Sequence, residues 1–257
     1  MSDDQPTPAQ QARLDARAGT LGATRGVALG FVQCNLVIVR QPAAYDFLVY
    51  CQRNRRACPV LEVTDPGDPE PRRIAPGADL RTDLPRYAVY RDGIRVDDES
   101  DISHLWEPGF VAFLIGSGIT FDEALERAGV PTRHHRWVLR TSIPTEPAGR
   151  FHGNLVVTMR WLTPEQAVTA TQVSARFPFN HGAPLHIGDP AQIGADLDHP
   201  LYGGPVGRIP KDFIPVFWAC GVTPQAAAEA AGIDLMITHA PAHGFVSDLR
   251  ADRICLP

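Results

Sequence analysis

The chain has 257 residues, with 24 lysine plus arginine residues against 29 aspartate plus glutamate residues, a formal net charge of −5, and a single lysine, Lys211. The acidic balance argues against a nucleic-acid partner, and the absence of a Gly-Lys-Ser/Thr triplet excludes a P-loop. The longest strongly apolar run, 110–115, is too short to cross a membrane, and five cysteines without a CxxC pair or a signal peptide predict reduced thiols in a cytoplasmic protein.

The apolar pattern predicts short strands and helices joined by long loops. Residues 1–25 are polar and predict a helical extension with one helix at 8–18, whereas residues 26–257 predict a single domain. Helix-capping patterns begin at Thr120, Thr163 and Thr223. Because strands and helices alternate irregularly, the sequence predicts an α+β (mixed α/β) fold. The predicted strands cover 32–39, 59–63, 86–91, 110–116, 155–161, 215–219 and 235–238, and the other helices cover 43–53, 120–129, 163–176 and 223–232.

Two segments, 181–189 and 239–248, echo each other. Each has two histidines around an Ala-Pro and then an aspartate. The echo arises either by chance or from an ancient duplication, which would give two interlocked, duplicated half-structures. Proline between the histidines rules out a helical His-x-x-x-His zinc pattern, so a divalent metal would depend on loop geometry. Proton transfer near neutral pH is the other functional interpretation, and hydrogen-bonded loop histidines are the structural one. The four histidines are His181, His186, His239 and His243.

Three further groups of residues are candidates for chemistry. The loop before the strand at 86–91 holds Asp79, Arg81 and Asp83, which predict either a fixed ion-pair network or an arginine fork for a substrate carboxylate. Cys220 ends an apolar strand just before a predicted helix start. A thiol at this position either has a lowered pKa and acts as a nucleophile, or is simply packed in the core. The last group consists of Arg140, Thr141 and Arg176. These side chains either pair with local acceptors or converge on an anionic small molecule.

Several runs in this chain resemble one family, the bacterial hydro-lyases related to the D-glutamate cyclase domain. The similar runs are Cys51-Gln-Arg-Asn with Cys58-Pro-Val-Leu-Glu-Val, the segment 77–93 around Asp79-Leu-Arg-Thr-Asp-Leu-Pro-Arg, His181-Gly-Ala-Pro-Leu-His-Ile-Gly-Asp-Pro, Val216-Phe-Trp-Ala-Cys-Gly-Val-Thr-Pro-Gln, and Ile237-Thr-His-Ala-Pro-Ala-His. The resemblance extends from about residue 26 to residue 249, which is nearly the whole chain.

The resemblance implies a carbon–oxygen lyase that closes a lactam ring. In that reaction the amine of D-glutamate attacks its own side-chain carboxylate, water leaves, and 5-oxo-D-proline forms. Together with the residue chemistry, it predicts a carboxylate anchor at Arg81, Arg140 or Arg176, a base at Asp83 or His239, and a protonated histidine at His186 or His243 that helps hydroxide leave. Cys220 is a further catalytic candidate, and Asp79, Thr141 and His181 complete the predicted substrate contacts. No organic cofactor is expected, and the partner is a small carboxylic or amino acid; a homo-oligomer is compatible with the sequence.

The chain departs from the family pattern at several positions. Ser117-Gly-Ile-Thr stands where the family usually has Cys-Ser-Phe-Ser, and Ser142 and Thr145 stand where the family has Asn and Cys. Gly244 occupies a position where a bulky residue is common. These departures leave two alternatives open: a dehydratase or cyclase for another small amino or hydroxy acid in a secondary-metabolite pathway, and a non-catalytic small-acid-binding protein.

Overall fold

The computed structural model describes residues 5–132 and 136–256, and within them eleven strands form two antiparallel sheets. The helices are α1 (Pro8–Arg17), α2 (Gln41–Arg53), α3 (Asp122–Arg127), α4 (Pro164–Ala175), α5 (Thr223–Ala230) and α6 (Ala251–Ile254). The strands are β1 (Phe31–Arg40), β2 (Val60–Val63), β3 (Tyr87–Arg91), β4 (Ile94–Glu99), β5 (Phe110–Gly116), β6 (Arg136–Pro144), β7 (Asn154–Leu162), β8 (His186–Ile187), β9 (Ile214–Ala219), β10 (Leu235–His239) and β11 (Phe245–Arg250).

The large sheet has the strand order β2-β5-β1-β10-β3-β4, with β11 also paired to β1, and the small sheet has the order β6-β7-β9-β8. Strands β1 and β5 read as almost continuous apolar runs because both of their faces are buried. The two sheets share one hydrophobic core, to which β1, β5, β7, β9 and helices α2 and α5 contribute side chains. This arrangement confirms the predicted α+β class.

One edge of β1 pairs with two different strands, and two residues between the paired segments have no strand partner on that edge. Val37, Ile38 and Val39 pair with β10, whereas Phe31, Gln33 and Cys34 pair with β11. The chain turns between β10 and β11 at 240–244, so neither strand registers with Asn35 or Leu36. The backbone of these two residues on that edge is therefore open to side-chain partners.

Most predicted elements are present, but two predicted helix caps are wrong. Thr163 does cap α4 and forms a capping box with Gln166. Thr120 instead lies inside a 3₁₀ turn, where its hydroxyl accepts from the Gln33 amide. Thr223 is the first residue of α5, and its hydroxyl exchanges hydrogen bonds with the backbone of Val156. In both cases a tertiary partner takes the hydroxyl that the capping pattern assigned to its own helix.

The N-terminal helix α1 is fastened to the rest of the chain by two arginines. Arg13 is buried and donates to both carboxylate oxygens of Asp248 and to the Val246 carbonyl. Arg17 forms a bidentate ion pair with Asp83. The boundary predicted at residue 25 stays a prediction. None of the described helices combines the length and the apolar character that crossing a bilayer requires.

Candidate active site

A cavity of about 210 Å³ opens where the two sheets meet the turn at 240–244. Each wall comes from a different part of the chain: β1, the turn after β5, strands β6 and β7, the 3₁₀ turn before β8, and the segments that follow β9 and β10. Three of the eleven predicted site residues line it. Its polar lining consists of Arg25, Asn35, Ser117, Arg136, Thr158, Arg160, His181, Tyr202, Cys220, Gln225 and His239.

Two larger clefts lie elsewhere, and neither gathers the predicted chemistry. The first, of about 400 Å³, adjoins the cavity through Arg25 and contains none of the predicted residues. The second, of about 500 Å³, is lined by Arg176 but by no other predicted residue. The smaller cavity is therefore the best candidate for an active site, because titratable groups converge there.

His239 ends β10 and fills the gap beside β1. Its Nδ1 lies 3.2 Å from the Leu36 amide nitrogen and 3.4 Å from Nε2 of Gln225. Both partners present N–H groups, so Nδ1 accepts, and the ring proton of the neutral imidazole lies on Nε2. The Leu36 carbonyl oxygen is more distant, at 3.5 Å. Burial lowers the pKa of His239 to about 4, so the ring is neutral at pH 7.

His181 presents the opposite tautomer. It follows the 3₁₀ turn Pro178–Asn180 in the left-handed conformation, with φ of 78°, and only 3% of the residue is exposed. Its Nδ1 lies 3.0 Å from the Arg56 carbonyl oxygen, which can only accept, so the proton is on Nδ1 and Nε2 carries a lone pair. Burial lowers the pKa of His181 to about 4, against the opposing effect of the Arg56 contact.

Three arginines of the cavity lining contact one carboxylate. Asp122 pairs with Arg160, with Arg136 at 3.2 Å and with Arg25 at 3.4 Å. Burial alone would raise the pKa of Asp122, but the Arg160 and Arg136 guanidiniums outweigh it and hold that pKa below its usual range. Since arginine stays protonated in proteins, this cluster gives the cavity a positive wall.

Arg160 is the most unusual member of the cluster. It is only 2% exposed, it lies over the Trp218 ring at 5.5 Å, and one of its nitrogens, Nη2, donates to Asp122. Among the described residues, none accepts from its Nε or Nη1. Buried polar groups almost always have partners, because an unpaired donor loses its hydration without compensation.

Cys220 and its neighbours form the base of the cavity. Cys220 directly follows β9 and is partly exposed, and its amide donates to the Val156 carbonyl. Gly221 follows because a Cβ atom there would lie 2.0 Å from Nδ2 of Asn35. The Asn35 side chain therefore occupies the space that a larger residue at 221 would need.

The remaining predicted residues lie outside the cavity lining. Asp83 is buried in its ion pair with Arg17 and also accepts from the Asp79 amide. Asp79 itself holds the guanidinium of Arg81, with Nη2 to Oδ2 at 2.7 Å. The fixed ion-pair network, rather than a free arginine fork, is what the structure shows in this loop.

The predicted residues of the small sheet have local partners too. Arg140 is exposed on β6, while the Thr141 hydroxyl donates to the Leu155 carbonyl and so pins β6 to β7. Arg176 caps α4 and donates to the Leu256 carbonyl. His186 contacts the Asp189 carbonyl through Nε2, and His243 contacts the Pro241 carbonyl through Nδ1. The structure therefore does not bring these residues together.

Sequence reasoning missed the arginine cluster, although one signal was present. Arg160 interrupts the apolar run of β7, which is buried at every position from 155 to 162. A charged residue inside such a strand is rare unless it is paired or functional. Arg25 and Arg136 come from distant segments, and their surroundings give no comparable signal. Within 5–132 and 136–256, no group of three or more His, Cys, Asp or Glu side chains could hold a metal ion, and the divalent metal stays a prediction.

Comparison with known proteins connects this site to a family. A family model described as D-glutamate cyclase matches residues 111–248, which include both cavity histidines. Proteins named "Putative hydro-lyase" from Stutzerimonas stutzeri and Geobacillus kaustophilus are 51% and 50% identical, over 91% and 90% of this chain and 90% of each relative. A protein of that name from Bordetella petrii is 50% identical over 96% of both chains.

A solved structure is also similar, at a lower level. The nitrogen repressor-like protein MJ0159 from Methanococcus jannaschii aligns over 94% of this chain and 96% of its own, with 13% identity and a TM-score of 0.40, which is too low to support an argument. The sequence relatives carry the assignment instead, because they cover nearly the full length at half identity. The chain belongs to the D-glutamate cyclase family, whose bacterial relatives are named as hydro-lyases.

Proposed function

We propose that the protein is a carbon–oxygen lyase, a hydro-lyase of the D-glutamate cyclase type, which closes an amino acid such as D-glutamate to 5-oxo-D-proline with loss of water. One observation carries this proposal: His181 and His239 line one cavity as neutral rings of opposite tautomer. One ring offers a lone pair and the other offers an N–H. This is the pair of groups that a dehydration with internal proton transfer requires.

The reaction balances without an outside reagent. The substrate nitrogen forms a bond to the side-chain carboxyl carbon, and the bond from that carbon to one oxygen breaks. The ammonium loses two protons in total, and the departing oxygen gains two and leaves as water. In our proposal Nε2 of His181 accepts one proton from the ammonium and delivers it to the departing oxygen, and it transfers the second ammonium proton in the same way, so that the oxygen leaves as water and His181 is neutral again. Nε2–H of His239 donates a hydrogen bond to the negative charge that develops on that oxygen and keeps its proton.

The two histidines suit this exchange because neither is charged at neutral pH. A pKa of about 4 leaves His181 ready to accept a proton at pH 7, although it makes the ring a weaker base than an ordinary imidazole. The pKa of His239, also about 4, makes protonation of its Nδ1 unfavourable and so keeps Nε2 as the donor. Of the residues predicted for proton transfer, Asp83 or His239 as the base and His186 or His243 as the acid, only His239 lines the cavity. Our proposal makes His239 the hydrogen-bond donor and gives the role of base to His181, which was predicted as a substrate contact.

The test is conversion of D-glutamate, L-glutamate and 5-oxo-D-proline by the purified protein, followed by NMR. We expect D-glutamate to be converted, and we expect His181→Gln and His239→Gln to lower turnover by about 10²- to 10⁴-fold, as loss of a general acid or base does. His186→Gln is the matched control because His186 belongs to the same echo but lies outside the lining. Full turnover in both cavity variants would refute the assignment.

The proposal also excludes amine chemistry by the protein. Lys211, the sole lysine of the sequence, is exposed and does not line the cavity. Lys211→Arg should therefore leave turnover unchanged, and loss of activity would refute the cofactor-free mechanism. Measurement of bound metal in the active protein tests the divalent-metal alternative directly.

A second candidate function is dehydration or cyclisation of a different small amino or hydroxy acid. Two of the segments that depart from the family pattern lie at the cavity: Ser117, Gly118 and Ile119 line one side, and Gly244 lines another. Ser142 and Thr145 do not line it; they donate to the carbonyls of Ile193 and Gly153. The departures at the lining change the shape of the space available to the substrate. A panel of small amino and hydroxy acids in the same NMR assay separates the two candidates.

A further inference from the structure

We infer that Arg160, assisted by Arg136 and Arg25, is the anchor for a substrate carboxylate in this cavity. The inference rests on the proposed function for the identity of the anion, and it assigns a binding site to residues outside the predicted set. The predicted anchors all have other surroundings: Arg81 holds Asp79, Arg176 holds the C-terminal backbone, and Arg140 is exposed on β6.

The first argument is the count of charges. Asp122 is one carboxylate in contact with three guanidiniums, so these four side chains carry more positive than negative charge. Glu126 attracts Arg25 from a longer distance, which reduces the excess without removing it. Arg160 is almost completely buried, and Arg136 and Arg25 are partly buried. Positive charge that is shielded from water is costly unless an anion compensates it. A carboxylate bound beside Arg160 would supply that compensation.

The second argument is the hydrogen-bonding state of Arg160. Its Nε and Nη1 are buried donors with no acceptor among the described residues, and the side chain lines the cavity. Arg13 shows what a structural arginine looks like in the same protein. It is also buried, but it donates to the Val246 carbonyl and to both oxygens of Asp248. Arg160 therefore has two donors that can bind a ligand, whereas the donors of Arg13 form hydrogen bonds within the fold.

The third argument is the placement of Arg160 relative to the reacting groups. Cζ of Arg160 lies over the Trp218 ring, 5.5 Å from its centroid, within the range of a cation–π interaction. Nη2 of Arg160 also donates to Asp122. A guanidinium held by both partners is pre-organised, and its fork geometry matches a carboxylate. With one carboxylate held there, the rest of the substrate shares a single cavity with His181 and His239.

The test uses glutarate, which has two carboxylates but no amine and so cannot cyclise, with the uncharged glutaramide as its control. Binding is measured by calorimetry and by the shift in melting temperature. We expect glutarate, but not glutaramide, to bind the wild-type protein. We expect Arg160→Met to weaken glutarate binding by at least about tenfold, the effect of losing hydrogen bonds to a charged group. Arg13→Met is the matched control and should retain the wild-type affinity.

The stability of the unliganded variants gives a second readout. Arg160→Met removes two unpaired donors together with one contact to Asp122, which keeps its contacts with Arg136 and Arg25, so it should lower the melting temperature less than Arg13→Met, which removes three hydrogen bonds of a buried arginine. If Arg160→Met does not yield folded protein, Arg160→Lys keeps the positive charge but lacks the fork, and it should also lose at least about tenfold in affinity.

The outcomes separate this inference from the proposed function. If glutarate binds and Arg160 variants lose it, the anchor is supported even when D-glutamate is not converted, and the proposed reaction fails alone. If His181→Gln and His239→Gln abolish turnover but still bind glutarate, both proposals are supported. If wild-type protein does not bind glutarate, or if Arg160→Met and Arg160→Lys bind it as the wild type does, the anchor is refuted whatever the turnover.

Discussion

Acidification should destabilise this protein through its two buried histidines, His181 and His239. Each has a pKa of about 4 in the folded protein against 6.5 for an ordinary imidazole. Above pH 6.5 the ring is neutral in both the folded and the unfolded state, so it contributes nothing. As the pH falls from 6.5 towards 4, the unfolded chain binds a proton that the folded chain does not, and the free energy of unfolding decreases.

The size of the effect follows from these two pKa values. At pH 5 the unfolded chain binds a proton at each histidine almost completely, whereas the folded chain hardly binds one. Proton linkage then lowers the free energy of unfolding by about 2 kcal/mol for each histidine, relative to pH 7.5. Two such losses are a large share of the roughly 5–15 kcal/mol that stabilises an average protein. The burial that keeps the rings neutral, as the proposed mechanism requires, therefore has a measurable cost in acid stability.

Urea unfolding at pH 7.5 and pH 5 measures this cost without any substrate. Carboxylates also titrate in this range, so the useful quantity is the difference between the wild type and a variant in the pH-induced change. His181→Gln and His239→Gln should each reduce that change by about 2 kcal/mol. His199→Gln is the control, because the His199 side chain is 86% exposed beside Asp196 and loses little hydration on folding. If the cavity variants lose as much stability between the two pH values as the wild type does, the rings are not buried in neutral form, and the tautomer argument fails with them.

Three further predictions concern the residues that support the site. Asp122→Asn removes the carboxylate that the three arginines share and should lower the free energy of unfolding by about 3–5 kcal/mol, as breaking a buried ion pair does. Urea unfolding measures this loss, and a loss below about 1 kcal/mol would show that the ion pairs do not stabilise the fold. Asp83→Asn weakens the bidentate contact with Arg17 and should cost about 1–3 kcal/mol of stability while kcat in the NMR assay stays at the wild-type value; a large fall in kcat would restore Asp83 as the base. Gly221→Ala places a Cβ atom against Asn35 and should deform the cavity, which is detected as weaker glutarate binding, and unchanged binding would show that the wall is not rigid.

The strongly patterned parts of the fold could be predicted from the sequence, whereas the strands β4, β6, β8 and β11 were not predicted. Strands β1, β5 and β7 are buried runs of apolar residues, so their composition alone identifies them. Strand β4 is an edge strand with exposed or partly exposed residues throughout, and β8 has two residues. Strand β6 is an edge strand and β11 pairs only with β1, and both mix buried with partly or fully exposed residues. Such segments are strands because a neighbour offers hydrogen bonds, not because their own sequence requires it.

The site was predictable in type but only partly in detail. Histidines as proton-transfer groups and an arginine as the anchor are chemical requirements that the sequence can satisfy, and His181, His239 and Cys220 do line the cavity. The particular anchor was not predictable from the charged loop, because Arg81 closes on Asp79 within its own turn. Only the fold decides which guanidinium is left with free donors.

The echo between the segments 181–189 and 239–248 explains why the cavity has two histidines. The first histidine of each segment, His181 and His239, lines the cavity, and the second does not. One segment leads into β8 of the small sheet and the other leaves β10 of the large sheet, which is consistent with two duplicated half-structures that meet at the site. A duplication alone would supply two equivalent rings, which could not act as acid and base at once. Here the backbone breaks the equivalence, because Nδ1 of His181 meets the Arg56 carbonyl and Nδ1 of His239 meets the Leu36 amide. A carbonyl fixes the proton on the nitrogen that faces it and an amide excludes it, so the backbone partners give two similar sequence motifs opposite hydrogen-bonding roles at Nε2, an acceptor in His181 and a donor in His239.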